Sequence, residues 1–231
     1  MKKKRIAVFT GAGISAESGI KTFRDIDGLW ENYSIEEVAS PQGWQKNPEL
    51  VNEFYNLRRK QVLEAHPNAA HKALVKLEKK FDVTIITQNI DDLHERAGSK
   101  QIIHLHGEIR KVRSTVKSSL IYTMEGWELK IGDRCEMGSQ LRPHIVWFGE
   151  SVPMMDNAMS MVSVADILIV VGTSLNVYPA AGLLGYADRN IPKYLVDPNP
   201  QNTGSISNLT IISEKAGDGV PRLVEELLNT A

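Results

Sequence analysis

Only one cysteine, Cys135, occurs in 231 residues. No disulfide can close within the chain, so nothing in it depends on an oxidising compartment. No apolar run approaches the ~20 residues that a membrane span requires. The opening "MKKKRIAVFTG" starts like an export signal, but five residues separate its basic run from Gly11. Export signals use an apolar region of roughly 7–15 residues. Neither sign of charge is in excess: 27 Lys and Arg face 28 Asp and Glu, a net charge of −1. That balance gives no global reason for nucleic acid or an anionic membrane to bind. Internal repeats and low-complexity tracts are also lacking. The expectation is a cytoplasmic protein acting as a monomer, with no nucleic-acid and no membrane partner.

What the chain does contain is a series of short runs rich in Val and Ile. They are "RIAVFTG" (5–11), "FDVTIITQN" (81–89), "QIIHLHG" (101–107), "ADILIVVGTS" (165–174), "KYLVDPN" (193–199) and "NLTIISE" (208–214). Their length and β-branched content fit strands buried on both faces of a parallel sheet. Helix-patterned segments lie between most of them, "AAHKALVKLEKKF" among them, and "GVPRLVEELLNTA" closes the chain. Two segments break the alternation: residues 25–66 read as helical, and 108–145 have weak periodicity and many polar residues. The expected fold is α/β, a Rossmann-like doubly wound parallel sheet built from 1–24, 67–107 and 146–231. Segments 25–66 and 108–145 are expected to form a smaller inserted lobe.

Three clusters carry chemistry. In "GAGISAESGIKTFRD" (11–25), Gly11, Gly13 and Ala16 keep the G-x-G-x-x-G/A spacing. The first Gly of that pattern makes a tight turn and the second lets the backbone approach a pyrophosphate. A plain strand-to-helix connection would use the same glycines. A hydride-transfer fingerprint would add a second strand ending in Asp or Glu about 20 residues on, where this chain has "WENYSIEEVASPQGW". The loop therefore suits a nucleotide but not a standard dehydrogenase. Beyond the glycines, Thr22, Phe23, Arg24 and Asp25 would lie over a bound dinucleotide, with Arg24 on phosphate and Phe23 over the nicotinamide ribose. Alternatively, Arg24 and Asp25 pair at the surface.

In "TQNIDDLHERAG" (87–98), Gln88, Asn89 and Asp91 follow a buried strand. They stand at the carboxyl edge of the sheet, where open α/β folds bind ligands. An amide followed by a carboxylate suits a ribose or a carboxamide; the alternative is a helix cap, preferred for Asp92. In "HLHG" (104–107), strand alternation puts His104 and His106 on one face. Two such residues could bind a metal, but no third ligand is evident nearby. His106, against Gly107 at the strand's end, is placed as a general base, and His104 as a hydrogen-bonded core residue.

These motifs are followed by "VWFGE" (146–150), "GTSLNVYPAAGL" (172–183) and "DPNP" (197–200). In that order and over nearly the whole chain they resemble the sirtuins, NAD-dependent protein deacylases. Lys21 departs from the family, which commonly has Pro there, and should alter only loop stiffness. The resemblance implies that NAD is consumed as co-substrate and that the partners are acylated lysine side chains of proteins. The acyl oxygen attacks the ribose C1′, and the products are free lysine, nicotinamide and O-acyl-ADP-ribose. It also implies that His106 and Asn89 are catalytic, His106 as the base acting on the ribose hydroxyls. Asn89 and Asp91 would contact nicotinamide and ribose, and Gln88 the ribose. Gly172, Thr173 and Ser174 would meet the phosphates and the adenosine side, and Asn199 and Ala216 the adenosine. Gly11, Ala12, Gly13, Ser15, Glu17, Thr22, Phe23 and Arg24 complete the NAD-binding set. Val146, Phe148 and Gly149 would pair as a strand with the substrate backbone.

Acyl preference is legible in "ELVNEFYNLRRKQVLE" (49–64). Read as a helix, it places Val51, Tyr55, Arg58 and Val62 on one stripe, with Arg59 and Lys60 pointing elsewhere. Tyr55 and Arg58 match the pair with which one sirtuin class binds the distal carboxylate of succinyl- or malonyl-lysine. The resemblance thus implies a desuccinylase and demalonylase with some deacetylase activity; the alternative is an Arg58 that reaches solvent and pairs with Glu53 or Glu64. The resemblance fails in 108–145. Sirtuins usually carry two Cys-x-x-Cys pairs there that hold a structural zinc, whereas this chain has only Cys135, with Ser114 and Gly138 near expected thiolate positions. No zinc is expected. Packing of Ile121, Tyr122, Met124, Trp127, Leu129 and Ile131 is expected to hold the lobe instead. An NAD hydrolase or mono-ADP-ribosyltransferase could use the same pocket. An idle NAD-sensing module could too, although the intact Asn89, Asp91 and His106 argue against it.

Overall fold

The computed structural model of the chain describes residues 3–20, 33–173, 180–201, 204 and 206–230. Its strands are β1 (Arg5–Thr10), β2 (Asp82–Thr87), β3 (Ile102–His104), β4 (Gly107–Ser114), β5 (Ile121–Thr123), β6 (Leu141–Ile145), β7 (Ile167–Val171), β8 (Lys193–Val196) and β9 (Leu209–Ile212). Six of them form a sheet in the order β3-β2-β1-β7-β8-β9, with every neighbouring pair parallel. The remaining three form an antiparallel sheet in the order β5-β4-β6.

The helices are α1 (Gly13–Ala16), α2 (Ile35–Val38), α3 (Pro41–Lys46), α4 (Pro48–Glu64), α5 (Ala69–Leu77), α6 (Leu93–Ala97), α7 (Met155–Ser163) and α8 (Ala216–Asn229), with a 3-10 helix at Ala180–Tyr186. Side-chain caps set where several of them begin. Asn47 accepts from Leu50 N ahead of Pro48 at the start of α4. Asn68 accepts from Ala70 N and His71 N at the start of α5. These caps satisfy backbone donors that a helix cannot bond internally.

Alternating residues of β1 divide the core. Ile6 and Val8 pack with Leu74 of α5 and Leu223 of α8 on one face. Ala7 and Phe9 pack with Ala158 and Val162 of α7 and Leu183 on the other. The sheet is therefore doubly wound, as its apolar runs imply. Burial on both faces holds for β1, β2 and β7 but not for β3, which is half-buried, or β9, where Thr210 and Ile211 are exposed. These are the two edge strands, each with a neighbour on one side only. A third apolar cluster joins Val51, Phe54 and Tyr55 of α4 to Leu93, Ile109, Ile145 and Trp147.

The lobe is not held as its composition suggests. Ile121, Trp127 and Ile131 are 43%, 40% and 48% exposed, and only Leu129 of the six apolar residues is buried. Polar anchors do the work from α4. Arg59, which the stripe directs elsewhere, is fully buried. Its Nε donates to Ile109 O at 2.7 Å, and its Nη1 donates to Asn56 Oδ1 and Trp127 O. Asn56 also donates to Leu129 O at 3.0 Å and accepts from Leu129 N at 2.9 Å. Exposed apolar residues give a lobe of this size little hydrophobic drive, so hydrogen bonds to a buried cation carry more of its geometry. Ser114, near an expected thiolate position, forms a knot with Cys135 and with Ser139, the neighbour of Gly138: the two hydroxyls are 2.8 Å apart, and Cys135 Sγ lies 3.4 and 3.1 Å from them.

Candidate active site

The chain runs from β1 outward to β2 and β3 and then returns to β7 on the other side of β1. Strand order therefore reverses between β1 and β7, which opens a crevice at the carboxyl edge. Two loops meet there. Gly11 N donates to Val171 O at 3.0 Å, and Gly13 N to Gly172 O at 2.8 Å. A Cβ on Gly13 would lie 2.6 Å from Gly172 Cα, and one on Gly172 would lie 2.4 Å from Ile14 N. Gly172 also has φ +60°. The structure thus gives these glycines a reason beyond phosphate approach: any side chain would drive the loops after β1 and β7 apart. Two of the amides that a pyrophosphate would seek are already engaged. The following α1 is a single four-residue turn, too short for the aligned peptides on which a helix dipole depends.

Behind the loops lies a buried polar row. Asn89 and Asp91 are 8% and 5% exposed. Asn89 Nδ2 donates to Gly11 O and to Ser15 Oγ, both at 3.1 Å. Ser15 Oγ donates in turn to Asp91 Oδ2 at 3.0 Å. Asp91 Oδ1 accepts from Leu93 N at 3.1 Å, so it both caps α6 and joins the cluster. Burial pushes its carboxyl up from the ordinary value, against the opposing pull of the Leu93 and Ser15 hydrogen bonds. Asp92, expected as the cap, makes no side-chain cap bond and pairs with Arg96 at 3.4 Å. Gln88 Oε1 accepts from Thr173 Oγ1 at 3.1 Å, which ties the β2 loop to the β7 loop.

His106 lies just past the end of β3, not within the strand. Its Nδ1 is 3.0 Å from Gln88 O. A carbonyl only accepts, so Nδ1 carries the proton and Nε2 keeps its lone pair. Burial lowers the imidazole from its ordinary value, partly offset by the Gln88 carbonyl. His104 faces a different partner, Glu95, at 2.6 Å. Glu108 brings a third ligand atom near that pair, the neighbour that the sequence spacing does not reveal.

The lobe side of the crevice is set by α4 and by residues 146–150. Tyr55 is 3% exposed, and its hydroxyl accepts from Trp147 Nε1 at 3.1 Å. Burial lowers the Arg58 guanidinium from its ordinary value, while neighbouring Tyr55 and Asp91 act to raise it. The Arg58 guanidinium carbon lies 5.9 Å from the Phe54 ring centroid, within electrostatic reach of Asp91 in the polar row. Val146 N donates to His106 O, and Phe148 N to Ala39 O, both at 2.9 Å. Phe148 is 49% exposed, and Gly149 has φ +90°. At the far end, Glu17 Oε2 accepts from Gly217 N at 2.7 Å, beside Ala216 at the start of α8. Asn199, exposed, follows β8, and Ala12 caps the α1 turn. Thr22, Phe23, Arg24 and Ser174 lie outside the described residues. Thr10, Thr87 and His94, which no motif spacing singles out, are buried and hydrogen-bonded beneath the crevice; Trp147, equally unmarked by spacing, is buried against Tyr55.

A parallel sheet covered on both faces, with polar residues gathered at its carboxyl edge, places the chain among doubly wound α/β proteins that take ligands at that edge. A family model described as the Sir2 family matches residues 11–179. The chain is 53% identical over 228 residues to the NAD-dependent protein deacylase of Helicobacter pylori, covering 99% of each. It is 52% identical over 230 residues to a protein of the same name from Bacteroides thetaiotaomicron, covering 97% of this chain and 98% of that one. A crystal structure of a Sir2 homolog–NAD complex matches it with a TM-score of 0.89 at 42% identity, covering 99% of this chain and 91% of that one. The chain belongs to the Sir2 family.

Proposed function

We propose that this chain is an NAD-dependent protein-lysine deacylase that prefers succinyl- and malonyl-lysine and also accepts acetyl-lysine. The observation that carries the reading is His106, whose Nδ1 proton is committed to Gln88 O, leaving Nε2 as a base at the ligand edge. The residues present fit NAD. Gln88 Nε2 is buried and has no partner among the described residues, so it offers a donor to a ribose. Asn89 and Asp91, held rigid through Ser15, offer an amide and a carboxyl to the carboxamide and ribose. When bound, NAD supplies the ribose carbon that receives the acyl oxygen, with nicotinamide as the leaving group. His106 Nε2 takes the proton of a ribose hydroxyl. Gly172, Thr173 and Ser174 serve the phosphate side, and Asn199 and Ala216 the adenosine. The main chain of Val146, Phe148 and Gly149 aligns the substrate peptide, and the Tyr55 phenol and Arg58 guanidinium bind a carboxylate on the acyl group.

One peptide carrying succinyl-, malonyl- or acetyl-lysine tests this, with nicotinamide release measured against a reaction that has NAD but no peptide. Release should require peptide and be fastest with the two acidic acyl groups. Arg58→Met should lower kcat/KM for the succinyl peptide by about 100-fold, the worth of a charge-assisted contact, and lower that for the acetyl peptide less. Equal release without peptide would mean an NAD hydrolase, and undiminished succinyl turnover in Arg58→Met would remove the acyl preference.

We also propose that the lobe holds no zinc. What supports this is that the lobe carries the hydroxyl–thiol knot at Cys135 and is tied to α4 by the Arg59–Asn56 anchor, contacts that hold it without a metal. A chelator should leave the thermal midpoint within about 1 °C, whereas a structural zinc site contributes folding free energy directly. A chelator-induced fall in the midpoint, or stoichiometric zinc in the purified protein, would contradict this.

A further inference from the structure

We propose that Trp147 is a positioning residue for acyl selectivity, holding the Tyr55 oxygen as an acceptor so that the phenol's one hydrogen is left to donate to the acyl carboxylate. This rests on the acyl preference just proposed. An indole N–H only donates, and it lies 3.1 Å from the Tyr55 oxygen. The polarity of the contact is therefore fixed: Tyr55 accepts there. Among the described residues, no acceptor takes the hydrogen of Tyr55 itself. The hydroxyl keeps that hydrogen at neutral pH, because burial pushes the phenol up to about 12, against the pull of the Trp147 hydrogen bond and the Arg58 charge. Arg58, one helical turn on in α4 with its guanidinium carbon 5.9 Å from the Phe54 ring centroid, is within electrostatic reach of Tyr55 and brings a cation to the donor's neighbourhood, as a carboxylate needs.

Trp147 is itself held from behind. Arg142 lies over the indole with its guanidinium carbon 3.3 Å from the ring centroid. Glu150 fixes that guanidinium through bonds of 2.7 and 3.1 Å and accepts from Trp147 N at 2.8 Å. Trp147 is 2% exposed, so its ring has no room to turn away. Glu150, Arg142, Trp147 and Tyr55 form one rigid line ending at the phenol. An acetyl group has no carboxylate and gains nothing from the oriented hydrogen.

Trp147→Phe tests this, because it keeps an aromatic ring beneath Arg142 and removes only the donor. The ratio of KM values for succinyl and acetyl peptides is the readout, since KM does not depend on how much of a variant is folded. The variant should raise that ratio about tenfold, the worth of one oriented hydrogen bond to a charge. In a Tyr55→Phe background the same substitution should add nothing further. Arg142→Lys should shift the ratio the same way but less, by loosening the indole. If Tyr55→Phe raises the ratio and Trp147→Phe does not, the positioning role is wrong and the acyl reading stands. If Tyr55→Phe itself leaves the ratio unchanged, both fall.

Discussion

His106→Ala should lower kcat for deacylation by about 1,000-fold, within the range expected when a general base is removed. The affinity for NAD should change little, because the proposed nucleotide contacts lie on Gln88, Asn89, Asp91 and the two glycine loops. The expectation rests on one bond, from His106 Nδ1 to Gln88 O at 3.0 Å, which fixes the tautomer. His106→Gln, which is polar but not basic at neutral pH, should fare no better than Ala. The pH dependence follows from the direction of the shift: burial holds the imidazole below its ordinary value of 6.5, so the base form prevails at neutral pH. The acid limb of kcat/KM should accordingly fall below pH 6.5. Rates are measured by nicotinamide release under saturating peptide, and NAD affinity by calorimetry. A loss of less than about tenfold would move the base elsewhere. Turnover that is undetectable in the wild type as well would leave a nucleotide sensor in place of an enzyme.

Much of the sheet was legible because parallel strands buried on both faces must be apolar throughout. "RIAVFT" and "ILIVV" could be little else, and both are strands. The edge strands were overdrawn: β3 stops at His104, since its outer side has no partner to extend the ladder. Segment 108–145 was marked as part of a lobe, but its antiparallel strands were not legible, for a different reason. β4 shifts register between Gly107 and Val112, which breaks the period-two pattern by which such strands are read. Arg59 does point away from the apolar stripe, but its burial was not legible because helical periodicity sorts residues against a single apolar face. α4 packs against the apolar cluster with Val51 and Tyr55 and against the lobe with Asn56 and Arg59. At the crevice the residue types were readable from their positions after strands, but the loop-to-loop contact that requires Gly13 and Gly172 joins residues far apart in sequence. The two-residue path from Tyr55 to Trp147 spans 92 positions, and no spacing rule could have found it.

Mild acid should destabilise this protein, and two histidines below the crevice are the reason. His71 and His94 are 0% and 1% exposed, with ring centroids 4.9 Å apart. Each has its neutral form fixed by a partner. His71 Nδ1 is 3.0 Å from Asn68 Oδ1, an oxygen that only accepts, so the proton is on Nδ1. Thr10 Oγ1 gives its hydrogen to Thr87, so His94 Nε2 at 3.1 Å must donate to it. The other nitrogen of each ring, His71 Nε2 and His94 Nδ1, is buried with no partner among the described residues. A second proton would have no acceptor. Burial lowers His71 to about 4, and burial together with the charges of His71 and His104 holds His94 well below 6.5. Below pH 6.5 the unfolded chain therefore binds protons that the folded chain refuses, and stability falls as pH falls. His71 alone removes about 2 kcal/mol between pH 7.5 and 5, and His94 adds in the same direction. His104 works against them: despite burial, the hydrogen bond and charge of Glu95 raise it. Against a total stability of about 5–15 kcal/mol, the loss should be plain in urea unfolding at pH 7.5, 6.5, 5.5 and 5.0. His71→Leu should flatten the dependence by about half, because it removes one titration and leaves the other. A midpoint that stays constant over this range, or a dependence that His71→Leu leaves as steep as before, would show that these imidazoles take up protons in the folded state.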